Sequence, residues 1–526
     1  AADCSAALRE TSPPPAPLDK LASKMLSAMN RGSRRADMET FKSGLLAMST
    51  EGSVTVGSAC SGCDIVNHVF RVLLTHAQRS MAEHVPQVRH VFSCEKDPSK
   101  IAFLKNEFAP EILFDDVRVL TKRSGVNLMT GKAQRVPGVD ILAAGFSCKS
   151  RAATNNKSHL HVNCIQNKDP EAETSITFHA IADYIIRFRP RLFFLENVMS
   201  LGQKKDGSDD ASDMEWICEY FANSGFAMKT FAFDAADFGG PASRRRLYLL
   251  GWPMEFESDD SPAAPAMPLD YLDSFLGSLL VEGPDMNSFL IANPDQWESE
   301  MAKYTATPAL GPSRKEAKKD VEWHKEHCNA FRDADLQWPA EGVDPEGFVD
   351  MEFKGVSFKL YKGTLCDRQF ELTLFSMVSF PMAEGSPPEF MDVMPSLGRI
   401  FKGEDFATPW RTQMQTITAA ARPVVRFFWK GEVYVRPVGG AECMAIIGWD
   451  YSFWNDPDAY KYEDPLLVSL AGSAFSGFAV LPMLMCLFFA QGKFKAAADA
   501  KGPSVLNGDE GDEEQGESES ADSSSD

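Results

Sequence analysis

Cationic charge is outnumbered in this chain, and its cysteines follow no ordered pattern. The net charge is −21. Nine acidic residues and no Lys or Arg follow Pro503, so removing that stretch still leaves −12. This excludes a surface coated in basic residues, but not a local basic cleft. The eleven cysteines are odd in number and scattered, which excludes a disulfide framework and fits a reducing compartment. Cys60-Ser-Gly-Cys63 lacks the second CxxC of a structural zinc site, and His324, His327 and Cys328 read as a polar helix face, so no metal site is expected. No signal peptide is evident, and the expected location is the nucleus in a eukaryote and the cytoplasm otherwise.

What is present is an ordinary globular composition, 44% apolar and 24% charged over 526 residues, with room for two or three domains. The stretch VDILAAGFSCKSR at 139–151 organises the rest. A short apolar run after Pro137-Gly138 reads as a buried parallel strand. It delivers Cys148 at its C-terminal end, where open α/β sheets place ligands and catalytic groups. Lys149 and Arg151 follow; such cations lower a thiol pKa and meet a polyanion. The plainer reading is a buried structural cysteine.

Earlier units repeat the pattern. A strand at 53–59 leads through the turn Cys60-Ser61-Gly62-Cys63-Asp64 into a helix at 65–75, and only Gly62 permits close backbone approach. A strand at 90–94 ends at Glu95, a helix spans 99–108, and a third unit ends at Asp115-Asp116-Val117. Beyond Cys148, a long polar loop at 149–175 has the character of a lid. A helix at 176–188 stops at Pro190, and an apolar strand at 192–195 delivers Glu196-Asn197-Val198. A carboxylate there is costly unless used or paired. A strand at 226–234, the turn DFGGPASRRR at 237–246 and a strand at 247–251 complete this part. The three arginines suit an anion or a nucleic acid, or simply a solvated turn.

The spacing divides the chain into an extension at 1–50 (1–16 disordered, then helices at 18–29 and 38–48), a core at 51–252, an insert at 253–410, a returning core at 411–500 and an acidic, disordered tail at 501–526. The insert has lost βα alternation, carries Arg314, Lys315, Lys318 and Lys319 on a helical stretch, and alternates like a hairpin at 348–361. Strands at 424–429 and 432–436 and a helix carrying Glu442 open the returning part. The apolar run 466–490 is long enough to span a bilayer, but Gly472, Ser473, Ser476, Gly477 and Pro482 favour a turn entering a buried helix, and no membrane is expected.

Taken in order, these pieces resemble the cytosine-5 DNA methyltransferase family over about 53–252 and 411–490. The resemblance implies a Rossmann-like S-adenosylmethionine-dependent fold with an inserted target-recognition domain at 253–410. Residues 56–64 look like the cofactor's methionine-binding turn, with Cys60 where the family prefers an aromatic and Asp64 where it has a second glycine. Glu95 looks like the ribose-binding acid, and Asp116-Val117 the adenine contact. GFSC at 145–148 is similar to the catalytic GFPCQ, with Ser147 for Pro and Lys149 for Gln. Thr177-Phe178 falls where a Leu-Phe pair meets the cofactor. Glu196-Asn197-Val198 matches ENV in full. Ala242-Ser-Arg244-Arg-Arg246 is similar to QxRxR, Arg436 and Glu442 fall at the ninth motif, and Gly472-Ser473-Ala474 at the tenth.

The resemblance implies catalytic roles for Cys148, Glu196, Asn197, Arg244 and Arg246. Cofactor contacts are implied at Cys60, Ser61, Gly62, Asp64, Glu95, Asp116, Val117, Gly145, Thr177 and Ser473. In the mechanism so implied, Cys148 would add to carbon 6 of a flipped cytosine, Glu196 would serve ring nitrogen 3, and Arg244, supported by Arg246, would steady the carbonyl and the acid. The implied partner is double-stranded DNA. Two readings stay open beside it: a cytosine-5 RNA methyltransferase on the same fold, and a relative that binds cofactor and nucleic acid but has lost turnover. If the basic stretch at 314–319 faces phosphates, neutralising Lys318 and Lys319 lowers the slope of log affinity against log salt by about 0.9 per lost contact; an unchanged slope in a binding titration marks a solvated face.

Overall fold

The computed structural model describes residues 17–49, 52–81, 85–152, 161–204, 210–254 and 270–281, then 348–353, 356–361, 367–393, 410–419, 421–449 and 464–501, with a few isolated positions between. The expected disordered segments at 1–16 and in the acidic tail, the basic stretch at 314–319, His324, His327 and Cys328 all lie outside them.

A seven-stranded sheet forms the larger unit, in the order β3-β2-β1-β6-β7-β9-β8. Its strands are β1 Ser53–Ala59, β2 Gln87–Cys94, β3 Ile112–Phe114, β6 Ile141–Ala144, β7 Leu192–Val198, β8 Phe226–Asp234 and β9 Arg245–Pro253. The first five run parallel, and β9 enters antiparallel between β7 and β8. A small hairpin of β4 Ser124–Asn127 and β5 Lys132–Arg135, which the sequence pattern did not suggest, lies between β3 and β6. β6 and the first half of β7 are buried throughout, as strands covered on both faces must be.

On one face lie helices α1 Pro17–Met29, α2 Arg35–Ala47 and α3 Ile65–Ser80, with the long helix Gly477–Lys501. On the other lie α5 Glu173–Phe188 and α6 Asp213–Asn223. The expected helical pair near the start is therefore present and packed on the first domain. α4 Pro98–Glu107 is capped by Asp97, whose side chain accepts from Ser99 N and Lys100 N.

The apolar run 466–490 is two helices, Asp464–Ser473 and Gly477–Lys501, joined by the turn that the small residues suggested. Every residue from Ala474 to Ala490 is buried, and Pro482 sits in the second turn without ending the helix. This is a core helix. It packs on α2 at glycine contacts that leave no room for a side chain: a Cβ at Gly492 would lie 1.9 Å from Thr40 O, and one at Gly44 1.7 Å from Phe488 O.

A second sheet has the order β10-β11-β14-β13-β12, from β10 Phe348–Phe353, β11 Val356–Tyr361, β12 Glu389–Asp392, β13 Pro423–Trp429 and β14 Glu432–Pro437. The hairpin expected at 348–361 is β10 and β11. The strands expected to return to the catalytic core pair instead with the second sheet, because the β13–β14 hairpin presents its edges to β12 and β11. The chain rejoins the first unit in the helix Gly440–Ile446, where Arg436 and Glu442 form a wholly buried ion pair at 2.7 Å. Gly492→Ala is expected to cost about 1–3 kcal/mol through overpacking against Thr40; chemical denaturation showing a loss below about 0.5 kcal/mol would contradict the close helix contact.

Candidate active site

Parallel pairing brings the expected site residues to one edge. At the strand ends Ala59 pairs with Cys94 and Ala144, Cys94 with Phe114, and Ala144 with Leu195. The residues that follow each end, Cys60, Glu95, Asp115, Gly145 and Glu196, therefore emerge side by side.

The turn after β1 uses left-handed backbone at Cys60 (φ 55°), Gly62 (φ 58°) and Asp64 (φ 51°). Two of these are not glycine, a strain that persists only where the surroundings enforce it. They do so here. Ser61 N donates to Cys94 O at 3.0 Å, and Cys94 N donates to Ser61 Oγ at 3.1 Å. Gly62 N donates to Glu95 Oε2 at 2.8 Å, while Lys96 N and Asp97 N donate to Glu95 Oε1. Burial pushes the Cys60 thiol up to about 12, helped by Glu95.

Asp64 was expected at the methionine end of a cofactor pocket, but the structure turns it inward. It is 1% exposed. Its carboxylate lies 3.0 Å from His90 Nε2 and accepts from Ser58 Oγ, Ser93 Oγ and Asn67 Nδ2. Burial opposes ionisation, yet the imidazole and the hydrogen bonds from His90, Ser93 and Asn67 hold the carboxyl below its usual range.

Asp116 is gripped by Arg118, whose Nη2 lies 2.6 Å from Asp116 Oδ2, and that contact and its other hydrogen bonds keep its pKa low. Val117 is buried beneath it. Ser473 reaches the same edge from the closing helices: its carbonyl would lie 3.7 Å from a Cβ on Gly62, and Lys100 Nζ donates to Ser473 Oγ.

Gly145 begins the turn that carries Cys148, and only a glycine fits easily, since a Cβ would press on the Phe475 ring at 3.0 Å and stand 3.7 Å from Glu196 Oε2. Asn197 is buried and holds this turn by donating from Nδ2 to Phe146 O at 3.0 Å. Phe178 packs edge-on against Phe146 and is wholly buried in the core. Cys148 is half-buried; burial and Glu196 raise its thiol pKa, while Arg246 and Arg244 oppose the rise.

Those two arginines, rather than Lys149 and Arg151, are the cations that favour the thiolate. Lys149 Nζ pairs with Glu173 at 3.0 Å. Arg151 is 2% exposed and donates to Ser200 O and Gln203 O, bracing the loop beyond β7.

The arginine roles also differ from expectation. Arg246 makes the ion pair with Glu196, Nε to Oε1 at 3.1 Å, because Val198 faces Arg246 in the β7–β9 ladder and the two side chains meet on the diagonal. Arg244 is buried, pushed down to about 10 by desolvation and by Arg246, and donates to Ile417 O at 3.1 Å. It ties the turn to the returning chain. The contact to Glu196 leaves Oε1 without an aligned hydrogen bond; Glu196 Oε1, Arg244 Nε and Tyr248 OH are buried and have no hydrogen-bond partner among the described residues. Sequence reasoning missed Tyr248, His90 and Thr174. Nothing in a strand pattern separates Tyr248 from its apolar neighbours.

The sheet order with its reversed β9, and a thiol and carboxylate at adjacent strand ends, define an S-adenosylmethionine-dependent methyltransferase architecture. The model of the C-5 cytosine-specific DNA methylase family matches residues 55–326, just over half of the chain, and the protein belongs to that family. A segment of 174 residues is 34% identical to the DNA (cytosine-5-)-methyltransferase DMT5 of Cryptococcus neoformans, covering 33% of this chain and 6% of that protein. The type II methyltransferase M.NlaX of Neisseria lactamica is 28% identical over 166 residues, 31% of this chain and 45% of that one. The match thus spans less than half the length of either relative. Among solved structures, the Entamoeba histolytica methyltransferase EhMeth aligns with a TM-score of 0.41 at 12% identity, covering 83% of this chain and 98% of that one.

The family's methyl donor is S-adenosylmethionine, and the edge has the donors and acceptors for it. Gly62 offers a side-chain-free approach, Glu95 has lone pairs beyond its three backbone donors, and Ser473 closes the rim. Asp64 supports the turn from below. Its pKa is lowered, so its contribution is complete above the unfolded value near 4 and lost as pH falls through the lower folded value. Asp64→Asn is expected to cost about 3–5 kcal/mol at pH 7 and to flatten the fall in stability as pH drops below about 4; parallel denaturation profiles for the two proteins would refute this.

Proposed function

We propose that the protein methylates carbon 5 of cytosine in double-stranded DNA through a covalent Cys148 adduct. The observation that carries this is the charged group acting on the Cys148 thiol, Glu196 ion-paired to Arg246 with Arg244 beside them; within it Arg244 Nε, and next to it Tyr248 OH, are buried with no hydrogen-bond partner among the described residues. Buried polar groups are normally satisfied, and two unsatisfied donors around a charged pair next to a thiol suit a polar ring.

Carbon 5 of cytosine is too weak a nucleophile to take a methyl group unaided. The Cys148 thiolate forms a bond to carbon 6, the carbon 5–carbon 6 π pair moves between carbon 5 and carbon 4, and the carbon 4–nitrogen 3 π pair moves onto nitrogen 3. Glu196 gives a proton to ring nitrogen 3 as charge arrives there, and Arg246, ion-paired to Glu196, holds the carboxyl in line. Bound cofactor supplies an electrophilic methyl group to carbon 5. The carbon 5 proton then leaves to a base, its electron pair re-forms the carbon 5–carbon 6 double bond, the sulfur–carbon 6 bond breaks to release Cys148 as thiolate, and ring nitrogen 3 returns its proton to Glu196. Asn197 and Gly145 hold the thiol's turn against β7 throughout. The target base is inaccessible inside a duplex, so it is flipped out. The raised thiol pKa implies a rate that increases with pH until the thiolate is formed.

The test is methyl transfer from labelled S-adenosylmethionine to duplex DNA and to matched RNA. The expected result is label on DNA, with Cys148→Ser slower by at least about a thousandfold. Label on RNA alone would favour the RNA reading, and no label with cofactor bound would favour a non-catalytic relative.

A further inference from the structure

The turn presenting Cys148 carries serine just before the cysteine. Serine leaves φ free and keeps a backbone N–H, whereas proline fixes φ and has none. The N–H is used: Ser147 N donates to Thr177 Oγ1 at 2.9 Å. The Thr177 hydroxyl hydrogen is spent on Glu173 O at 2.8 Å, so the group has no donor left to offer a ligand. One turn earlier in α5, Thr174 and Ser150 exchange hydrogen bonds. Ser150 N donates to Thr174 Oγ1 at 3.3 Å, and Thr174 N donates to Ser150 Oγ at 3.4 Å.

These ties serve both partners. Ala172, the residue before α5, cannot cap the helix, and Ser150 Oγ supplies an acceptor to its first turn. Thr174 is 0%, Ser150 6% and Thr177 9% exposed, so water competes poorly for these bonds. A threonine bonded to the carbonyl four residues back is ordinary in a helix. An N–H arriving from outside the helix, from the residue adjoining the expected nucleophile, is not explained by that habit.

We infer that Thr177, supported by Thr174, is a positioning residue for Cys148: α5 holds the 147–150 turn in the conformation that presents the thiol, a task that proline's fixed φ would otherwise perform. The inference rests on the proposed role of Cys148, and it moves the Thr177 hydroxyl from the cofactor to the nucleophile's turn. A loosely held nucleophile is penalised steeply, since misplacement by about 1 Å can cost a hundredfold in rate.

The test uses the full chain with Thr177→Val, which keeps the shape and loses both hydrogen-bonding functions, and Thr177→Ser, which restores them. Three quantities are read: single-turnover methyl transfer at saturating DNA and cofactor, S-adenosylmethionine affinity by calorimetry, and the rate of Cys148 alkylation by iodoacetamide without substrates. The inference requires Thr177→Val to slow transfer by about tenfold or more and to change alkylation by about threefold or more. Cofactor Kd should stay within about twofold, and Thr177→Ser should recover most of the rate. Unchanged transfer and alkylation in Thr177→Val, a loss traced to cofactor affinity, or a serine variant no better than valine would each overturn it. If the wild-type chain transfers no methyl group, the proposed function fails, and the alkylation comparison alone then decides whether Thr177 holds the turn.

Discussion

Glu196 ends an apolar strand, and a carboxylate in that place must be paired, used or both. The fold answers with the reversed strand β9, which runs antiparallel to β7 and sets Arg246 diagonally across from Glu196. Parallel strands alone would leave the next strand's arginine at the wrong end. The neighbouring β6 ends beside Glu196, so the Cys148 turn leaves the sheet next to the same charged pair. The thiol therefore sits where Glu196 disfavours the thiolate and two arginines favour it.

A second dependence runs through the returning chain. Arg244 reaches from the turn before β9 to Ile417 O, and Ser243 N donates to Met414 O, so the turn is stitched to a segment far along the sequence. Phe475 covers Gly145 and Ser473 faces Gly62. The helix Gly477–Lys501 anchors that segment in the core on α2 and α3. The thiol's turn and the glycine turn after β1 are closed by the same few residues.

Much of this was legible in the sequence. The strands at 53–59 and 226–234 fall where the residue pattern placed them, and the apolar run at 466–490 holds the turn into a buried helix that its small residues suggested. What was lost was direction. Cα spacing does not say which of two arginines faces an acid, and the ladder register gives that contact to Arg246. Nor does it say whether Asp64 faces a pocket or the core; the partners that turn it inward, His90 and Ser93, lie more than twenty residues away. Arg151 looked like a cation for a polyanion because it follows Cys148, yet its guanidinium serves backbone carbonyls beyond β7. The strands at 424–429 and 432–436 read as returning core because they follow the insert, but strand pairing is non-local and assigns them to the second sheet.

The central claim is that Cys148 bonds to the target base. The most direct measurement is mass spectrometry of the peptide containing Cys148 after incubating the protein with S-adenosylmethionine and duplex DNA bearing 5-fluorocytosine. Fluorine cannot leave as the carbon 5 proton does, so the adduct persists. The account predicts that Cys148 carries the methylated, fluorinated nucleotide, that the mass shift requires cofactor, and that it vanishes in Cys148→Ser. An unmodified Cys148 peptide recovered from a protein shown to bind both cofactor and DNA would contradict it.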